Sequence, residues 1–145
     1  MKIKLRLVAI TTLMQTLILV GCASTIETLD GKLLRIGSPE FRSYALDVFK
    51  RNNSTLTVLF DAIEQADDEN ALRLELAEES VVEACETLNS AAAARRDGKQ
   101  LGAGILRTIS STIRPCDAAT NEADRLIMEV SSVSLPPVSG DESVL

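Results

Sequence analysis

Three cysteines are the residues whose type and spacing could do chemistry in this 145-residue chain: Cys22, Cys85 and Cys116. None of their spacings forms a C-x-x-C redox motif, and a thiolate metal site needs more cysteine or histidine ligands than a pair supplies. The chain contains no histidine, so the commonest general base, proton shuttle and metal ligand is missing. We therefore predict that the protein is not an enzyme and has no catalytic residue, metal or cofactor.

The first cysteine closes an apolar stretch at the amino terminus. Three cations and no acid lie within residues 1–6, and Leu7 to Val20 is a stretch of 14 mostly aliphatic residues. This is the layout of an export signal, and the stretch is shorter than the roughly 20 apolar residues of a membrane-spanning helix. The sequence Leu19-Val20-Gly21-Cys22 resembles the lipobox of bacterial lipoproteins. A plain signal or an uncleaved anchor with an incidental cysteine is the alternative.

The lipobox resemblance implies a lipid anchor on Cys22. In such lipoproteins the cysteine thiol receives diacylglycerol, the chain is cut before the cysteine, and the new amino group is often acylated. Ala23 and Ser24 follow the cysteine here, and no Asp does, which the resemblance associates with the outer membrane and a domain facing the periplasm. Two or three long acyl chains hold a protein firmly on a membrane.

Composition favours one helical domain after the anchor. Removal of residues 1–21 would leave 124 residues with 12 basic and 21 acidic side chains, a net charge of −9. This charge argues against nucleic acid as a partner and against attraction to anionic lipid. Trp is absent, with one Tyr and three Phe, and aliphatic residues with few aromatics suit packed helices better than sheets.

Start and stop signals divide the mature chain into helices. Ser38 and Pro39 begin the first helix, Arg51-Asn52-Asn53-Ser54 predicts a break, and Ser54 predicts the cap of a second helix. An acidic start at residues 67–70 opens a helix that ends near Arg96, before Gly98. We predict a further helix over residues 99–113, ended by Arg114-Pro115, and a last helix from Cys116 to Val130.

Two side-chain groups on these helices have a structural and a functional interpretation. The four aromatic residues predict either dense core or one wall of an apolar groove: Phe41, Tyr44, Phe49 and Phe60. The carboxylates of the long middle helix predict either a solvated face or a surface for a cation or basic partner: Glu75, Glu78, Glu79, Glu83 and Glu86.

Cys85 and Cys116 predict an internal disulfide. In an exported protein whose first cysteine is acylated, they remain as an even pair in an oxidising compartment. Antiparallel helices on either side of Gly98 would leave them about 7 Å apart along the axis, an offset that a bend at Pro115 could remove. Two free buried thiols and a bridge to another chain are the alternatives.

We thus expect an all-α protein, a small bundle of four to five helices with one disulfide and a disordered C-terminal tail. The predicted divisions are a signal peptide at 1–21, a lipid-anchored arm at 22–37, which could be a short helix or loosely docked, a helical domain at 38–130 and the tail at 131–145.

The expected function is binding by a membrane-anchored envelope lipoprotein. The first hypothesis is an assembly or accessory factor that binds another envelope protein. The second is a carrier of lipid or another apolar ligand in an interhelical groove, and the third is a surface-exposed protective or exclusion protein.

Overall fold

The computed structural model describes residues 24–133, and within that range the chain is mainly helical. Within residues 24–133 a short antiparallel hairpin precedes three long helices, so the predicted helical class is confirmed and the predicted count of four to five helices is wrong. The elements are β1 (Thr25–Glu27), β2 (Leu33–Arg35), α1 (Pro39–Gln65), α2 (Asp68–Arg96) and α3 (Ala103–Val133).

Helix α1 runs through the predicted break at residues 51–54. Its start is as predicted, because the Ser38 hydroxyl accepts a hydrogen bond from the Phe41 amide at 3.1 Å. Asn and Ser lower helix propensity by only a fraction of a kcal/mol each. Tertiary packing outweighs that cost, since Asn52 and Thr55 are buried and the Thr55 hydroxyl donates to Asp124 at 2.7 Å.

Helix α3 likewise continues through Pro115, where we predicted that one helix would end and another begin. A proline inside a helix lacks the amide that would bond to the carbonyl four residues earlier, here that of Ser111. Ile113 and Cys116 on either side of it are fully buried, so core contacts hold both flanks in place. The helix also extends to Val133, three residues into the predicted tail, and residues 134–145 lie outside the described range.

Helix α2 matches its prediction at both ends. The Asp67 carboxylate caps its start by accepting from the Asn70 amide at 2.9 Å. At its end Gly98 has φ +73°, and the Lys99 amide donates to the Ala94 carbonyl at 2.9 Å. This bond is the 6→1 bond of a Schellman motif. The short connection that follows reverses the chain direction.

The predicted arm is a β-hairpin and neither a helix nor a loose segment. Ile26 pairs with Leu34 across the two strands, and Leu34 is only 4% exposed because it packs into the bundle core. Asp30-Gly31 lies in the turn, where Gly31 has φ +80°, a conformation that glycine adopts without strain. The hairpin is therefore docked on the helices.

The three helices run up, down and up around one core. Side-chain pairs fix the order, because Tyr44 and Thr55 of α1 bond to Asp117 and Asp124 of α3 in the same direction along both helices. The two connections between helices are short, at residues 66–67 and 97–102, which makes α2 antiparallel to its neighbours. The hairpin, the start of α1, the end of α2 and the start of α3 thus share one end of the bundle.

Candidate functional site

The Cys85 to Cys116 disulfide joins α2 to α3 in the middle of the core. The sulfur atoms are bonded and the two Cα atoms lie 4.6 Å apart, and both residues are fully buried. The predicted pairing is confirmed. A buried disulfide is out of reach of an attacking thiolate, so its role in the bundle is to hold two helices together.

The predicted acylation site, Cys22, lies outside the described residues. The structure does describe Ser24, two residues later in the sequence. Ser24 accepts a hydrogen bond from the Ile36 amide at 2.9 Å, at the open end of the hairpin. Two residues of extended chain span about 7 Å at most. A chain of two residues before Ser24 therefore has a reach of only about 7 Å from the bundle surface.

A buried carboxylate on α3 gathers donors from α1. Asp117 is 3% exposed, accepts the Tyr44 hydroxyl at 2.7 Å, and accepts a second bond from the Arg51 guanidinium. Arg51 also donates to Asn121 at 2.7 Å. Burial of Tyr44, and then its hydrogen bond to Asp117, raises the pKa of the phenol well above its usual range.

This cluster is suited to holding helices together and not to acid or base catalysis. Both Asp117 oxygens are occupied, one by Tyr44 and the other by Arg51, and a general base needs an oxygen that can reach a substrate proton. Sequence reasoning missed the cluster because the predicted break separated Tyr44 from Arg51. On a continuous helix their seven-residue spacing would have placed them on one side.

The four aromatic residues do not share one environment. Phe41 is 1% exposed in the core, whereas Phe60 is 55% exposed on the outside. Tyr44 ends at the Asp117 cluster, and Phe49 is half-buried against the core. The structure brings Phe41, Tyr44 and Phe49 to the packed side of α1 and leaves Phe60 outside it. Binding of an apolar ligand beside them remains a prediction.

Two open hollows in the described part of the chain lie at the hairpin end. The larger, about 700 Å³, has Ser24 and Ile36 on one side and Leu106 to Ser111 on the other. The smaller, about 310 Å³, lies between Glu86 to Ala94 and the start of α3. Neither is lined by any of the four aromatic residues.

No protein-family model, curated protein or solved structure matches this chain. The functional evidence is therefore the surface of the bundle itself. Across residues 24–133, no helix combines the length and apolarity that crossing a membrane requires.

Charge is strongly segregated along the bundle. The half with the hairpin, residues 24–51 and 84–116, contains ten Lys and Arg against six Asp and Glu. The other half, residues 52–83 and 117–133, contains two against thirteen. We call these the basic half and the acidic half. The net charge of −6 for the full sequence does not show this segregation, which becomes visible only when the helix order is known.

The acidic half also exposes apolar side chains on the outer face of α2. Leu72 and Leu76 lie one turn apart and are each 59% exposed. Glu75, Glu79 and Glu83, which we predicted to share a face, are exposed beside them. The two leucines and these carboxylates together form a small apolar patch with a charged rim.

Proposed function

We propose that this protein is a non-catalytic lipoprotein, acylated on Cys22, that binds another envelope protein through its acidic half. The observation that carries the binding proposal is the exposed pair Leu72 and Leu76 among carboxylates. Desolvation of the leucines would supply affinity at about 25 cal/mol per Å² of apolar area. The carboxylates would select a partner with a basic rim and speed its approach.

The position of this pair is compatible with a membrane anchor. Leu72 and Leu76 lie in the half of the bundle opposite the hairpin, whose open end holds Ser24. A 27-residue helix such as α1 is about 40 Å long. A lipid on Cys22 would therefore leave the leucines well clear of the bilayer and open to a partner. We propose the outer membrane, facing the periplasm, as the location and an assembly or accessory role as the function.

The anchor is tested on protein purified from the native host. Mass spectrometry is expected to show loss of residues 1–21 and an acyl-bearing Cys22, and a Cys22→Ser variant is expected to accumulate unprocessed. Detection of Cys22 as an unmodified thiol in the native protein would contradict the anchor. Protease added to intact cells should leave a periplasm-facing domain uncut, while cleavage would favour the surface-exposed protective hypothesis.

The binding surface is tested by photo-crosslinking in living cells. A photoreactive residue at Leu76 is expected to trap a discrete adduct, and one at Ser43, exposed on α1 in the basic half, is the matched control. Leu72→Asp should abolish the Leu76 adduct without loss of folding, because its side chain is exposed. Equal adducts at the two positions, or an adduct that survives Leu72→Asp, would contradict the proposal.

A further inference from the structure

We propose that the surface around Ser24 is a docking site for anionic lipid headgroups, with Arg35 and Arg107 contacting the phosphates. The inference rests on the proposed acylation of Cys22, which brings this surface to the membrane. It adds to that proposal a second, electrostatic contact that orients the bundle, with the basic half against the bilayer and the acidic half away from it.

The first support is the attachment geometry. The docked hairpin holds Ser24 by its bond to Ile36, and Leu34 in the core fixes the hairpin to the helices. The chain between Ser24 and Cys22 is at most about 7 Å long. A lipid on Cys22 therefore cannot be at the membrane unless the surface around Ser24 is there as well.

The second support is that the cations at this surface are free. Arg35 lies opposite Thr25 in the hairpin, and Arg107 lines the hollow beside Ser24. Both side chains are exposed, and neither forms an ion pair with any residue in the range 24–133. A guanidinium presents paired donors that match phosphate oxygens.

The cations of the acidic half provide the contrast. Arg73 is paired with Glu129 at 2.8 Å, and Arg125 with Glu122 at 2.5 Å. Both arginines of that half are thus neutralised by neighbours, while Arg35 and Arg107 are not. In the described part of the chain, the Lys and Arg side chains without an ion pair are therefore concentrated in the basic half, near the proposed attachment point of the lipid.

The net charge of the protein does not oppose this contact. At physiological ionic strength a charge is screened beyond a Debye length of about 8 Å. The acidic half begins about 20 Å from the hairpin end, so most of its carboxylates are screened from a bilayer there. The nearer, basic half has ten Lys and Arg against six Asp and Glu, so its net charge is positive. In the proposed orientation, the net charge of −9 that residues 22–145 would carry therefore does not keep anionic lipid away from this surface.

An exposed apolar side chain accompanies Arg35. Leu33 is 69% exposed. Successive strand residues alternate between faces, so Leu33 lies on the same outer face of β2 as Arg35. Cationic and apolar side chains together are typical of surfaces that lie in the membrane interface.

The test uses the mature chain with Cys22→Ser, so that no acyl chain contributes. Sedimentation with vesicles of phosphatidylcholine containing phosphatidylglycerol should retain the protein, and vesicles of phosphatidylcholine alone should retain less. Binding should be lost in about 1 M salt, where the Debye length falls to about 3 Å. The double variant Arg35→Gln and Arg107→Gln should bind about 25-fold more weakly, because each cation near an anionic surface contributes about fivefold.

The matched control is Arg73→Gln with Arg125→Gln, which removes the same number of charges from the acidic half. This control should bind as the parent does, with circular dichroism checking that both variants fold. An equal loss in the two double variants, or no preference for phosphatidylglycerol, would overturn the docking surface. These outcomes are independent of acylation, because an unmodified Cys22 in native protein would remove the anchor alone.

Discussion

Two buried polar residues in the core of this bundle, Asp117 and Asn52, differ in whether they have hydrogen-bond partners. Asp117 receives donors from Tyr44 and Arg51. Asn52 is fully buried, and neither its amide oxygen nor its amide nitrogen has a partner in the described range. A buried charge with good partners can be tolerated, whereas an unpartnered buried amide lowers the free energy of unfolding.

Tyr44, which donates a hydrogen bond to Asp117, should ionise at a higher pH than an ordinary tyrosine. The chain contains one Tyr and no Trp, so phenolate absorbance reports this residue alone. Because burial and the hydrogen bond to Asp117 raise its pKa, the native protein should titrate above the usual value of about 10. The same protein in denaturant should titrate at that value. Identical titration curves in the two states would contradict the buried contact.

The raised pKa also fixes the sign of the alkaline stability change. The folded state holds the phenolic proton more tightly than the unfolded state, so this contribution is present below about pH 10 and is lost as the pH rises through the folded pKa. Tyr44→Phe should therefore lose less stability above pH 10 than the parent. At neutral pH it should lower the free energy of unfolding by about 1 to 2 kcal/mol, through the lost bond to a carboxylate.

The unpartnered asparagine should be replaceable with a gain. Asn52→Leu keeps a similar volume and removes two unsatisfied polar atoms, so the free energy of unfolding should rise by about 1 to 3 kcal/mol. Urea denaturation measures the change. Asn53→Leu is the matched control, because Asn53 is exposed and surface substitutions usually change stability by at most about 0.5 kcal/mol. A loss of stability in Asn52→Leu would show that the amide has a role in the native state.

At the scale of elements, the long helices are held by contacts that are distant in sequence. The disulfide closes a separation of 31 residues, and on the chain-entropy estimate this stabilises the fold by about 3.5 kcal/mol. It also fixes α2 to α3 beside Pro115, where the helix lacks one backbone bond. The disulfide thus secures the segment of α3 around Pro115.

Removal of the disulfide should therefore weaken the whole bundle. Cys85→Ala with Cys116→Ala should lower the free energy of unfolding by about 3.5 kcal/mol or more, because the cavity left by the sulfurs adds to the entropy term. Urea denaturation monitored by circular dichroism measures the loss. Reduction of the parent protein in denaturant, followed by refolding under reducing conditions, controls for the substitutions. A loss below about 1 kcal/mol in both cases would contradict the chain-entropy account.

The sequence predicted correctly the helix ends that are formed by a local capping motif. Ser38 and Gly98 form such ends through a cap and a Schellman motif, so the start of α1 and the end of α2 were predicted correctly. Asn52 and Pro115 are unfavourable inside helices, but distant packing overrides them, and this packing cannot be read from a local pattern. Asp30-Gly31 is a recognised hairpin signal, so the hairpin could have been found.

The candidate sites also divide into those that the sequence predicts and those that depend on tertiary packing. The number of cysteines was enough to predict the pairing of Cys85 with Cys116, because these two remain once Cys22 is assigned to a lipid. The contact between Arg51 and Asp117 depends on the register of α1 against α3, and no local pattern sets that register. Arg107 lies beside Ser24 only because the hairpin is docked against the start of α3, and no local pattern predicts that docking.

At the scale of the whole molecule, the docked hairpin would give the proposed lipid anchor on Cys22 a fixed orientation of the bundle on the membrane. A fluorescent donor at Gln100 in the basic half should transfer energy efficiently to acceptor headgroups in a vesicle that carries the acylated protein. A donor at Gln65, at the far end of α1, should transfer little, because about 40 Å separates the two ends. Equal transfer from the two positions would show that the bundle lies flat.

The hairpin itself is tested by Leu34→Asp, which places a charge where the parent side chain is buried. Release of the hairpin would free the chain up to the start of α1, about 15 residues after Cys22, a reach of roughly 20 Å for a flexible chain. The difference in energy transfer between Gln100 and Gln65 should then shrink. Leu33→Asp, on the exposed face of the same strand, is the control and should preserve the difference.

A domain held so closely to its attachment point would explore the membrane plane and little of the space above it. Its encounters would be those of a two-dimensional search, in which confinement to one surface raises the effective concentration of any partner on that surface. Molecules that extend into the thin layer swept by the bundle would meet it often, and freely diffusing ones rarely. Lengthening the segment before the hairpin would widen that layer. The bundle would then reach farther from the membrane and would lose its fixed orientation.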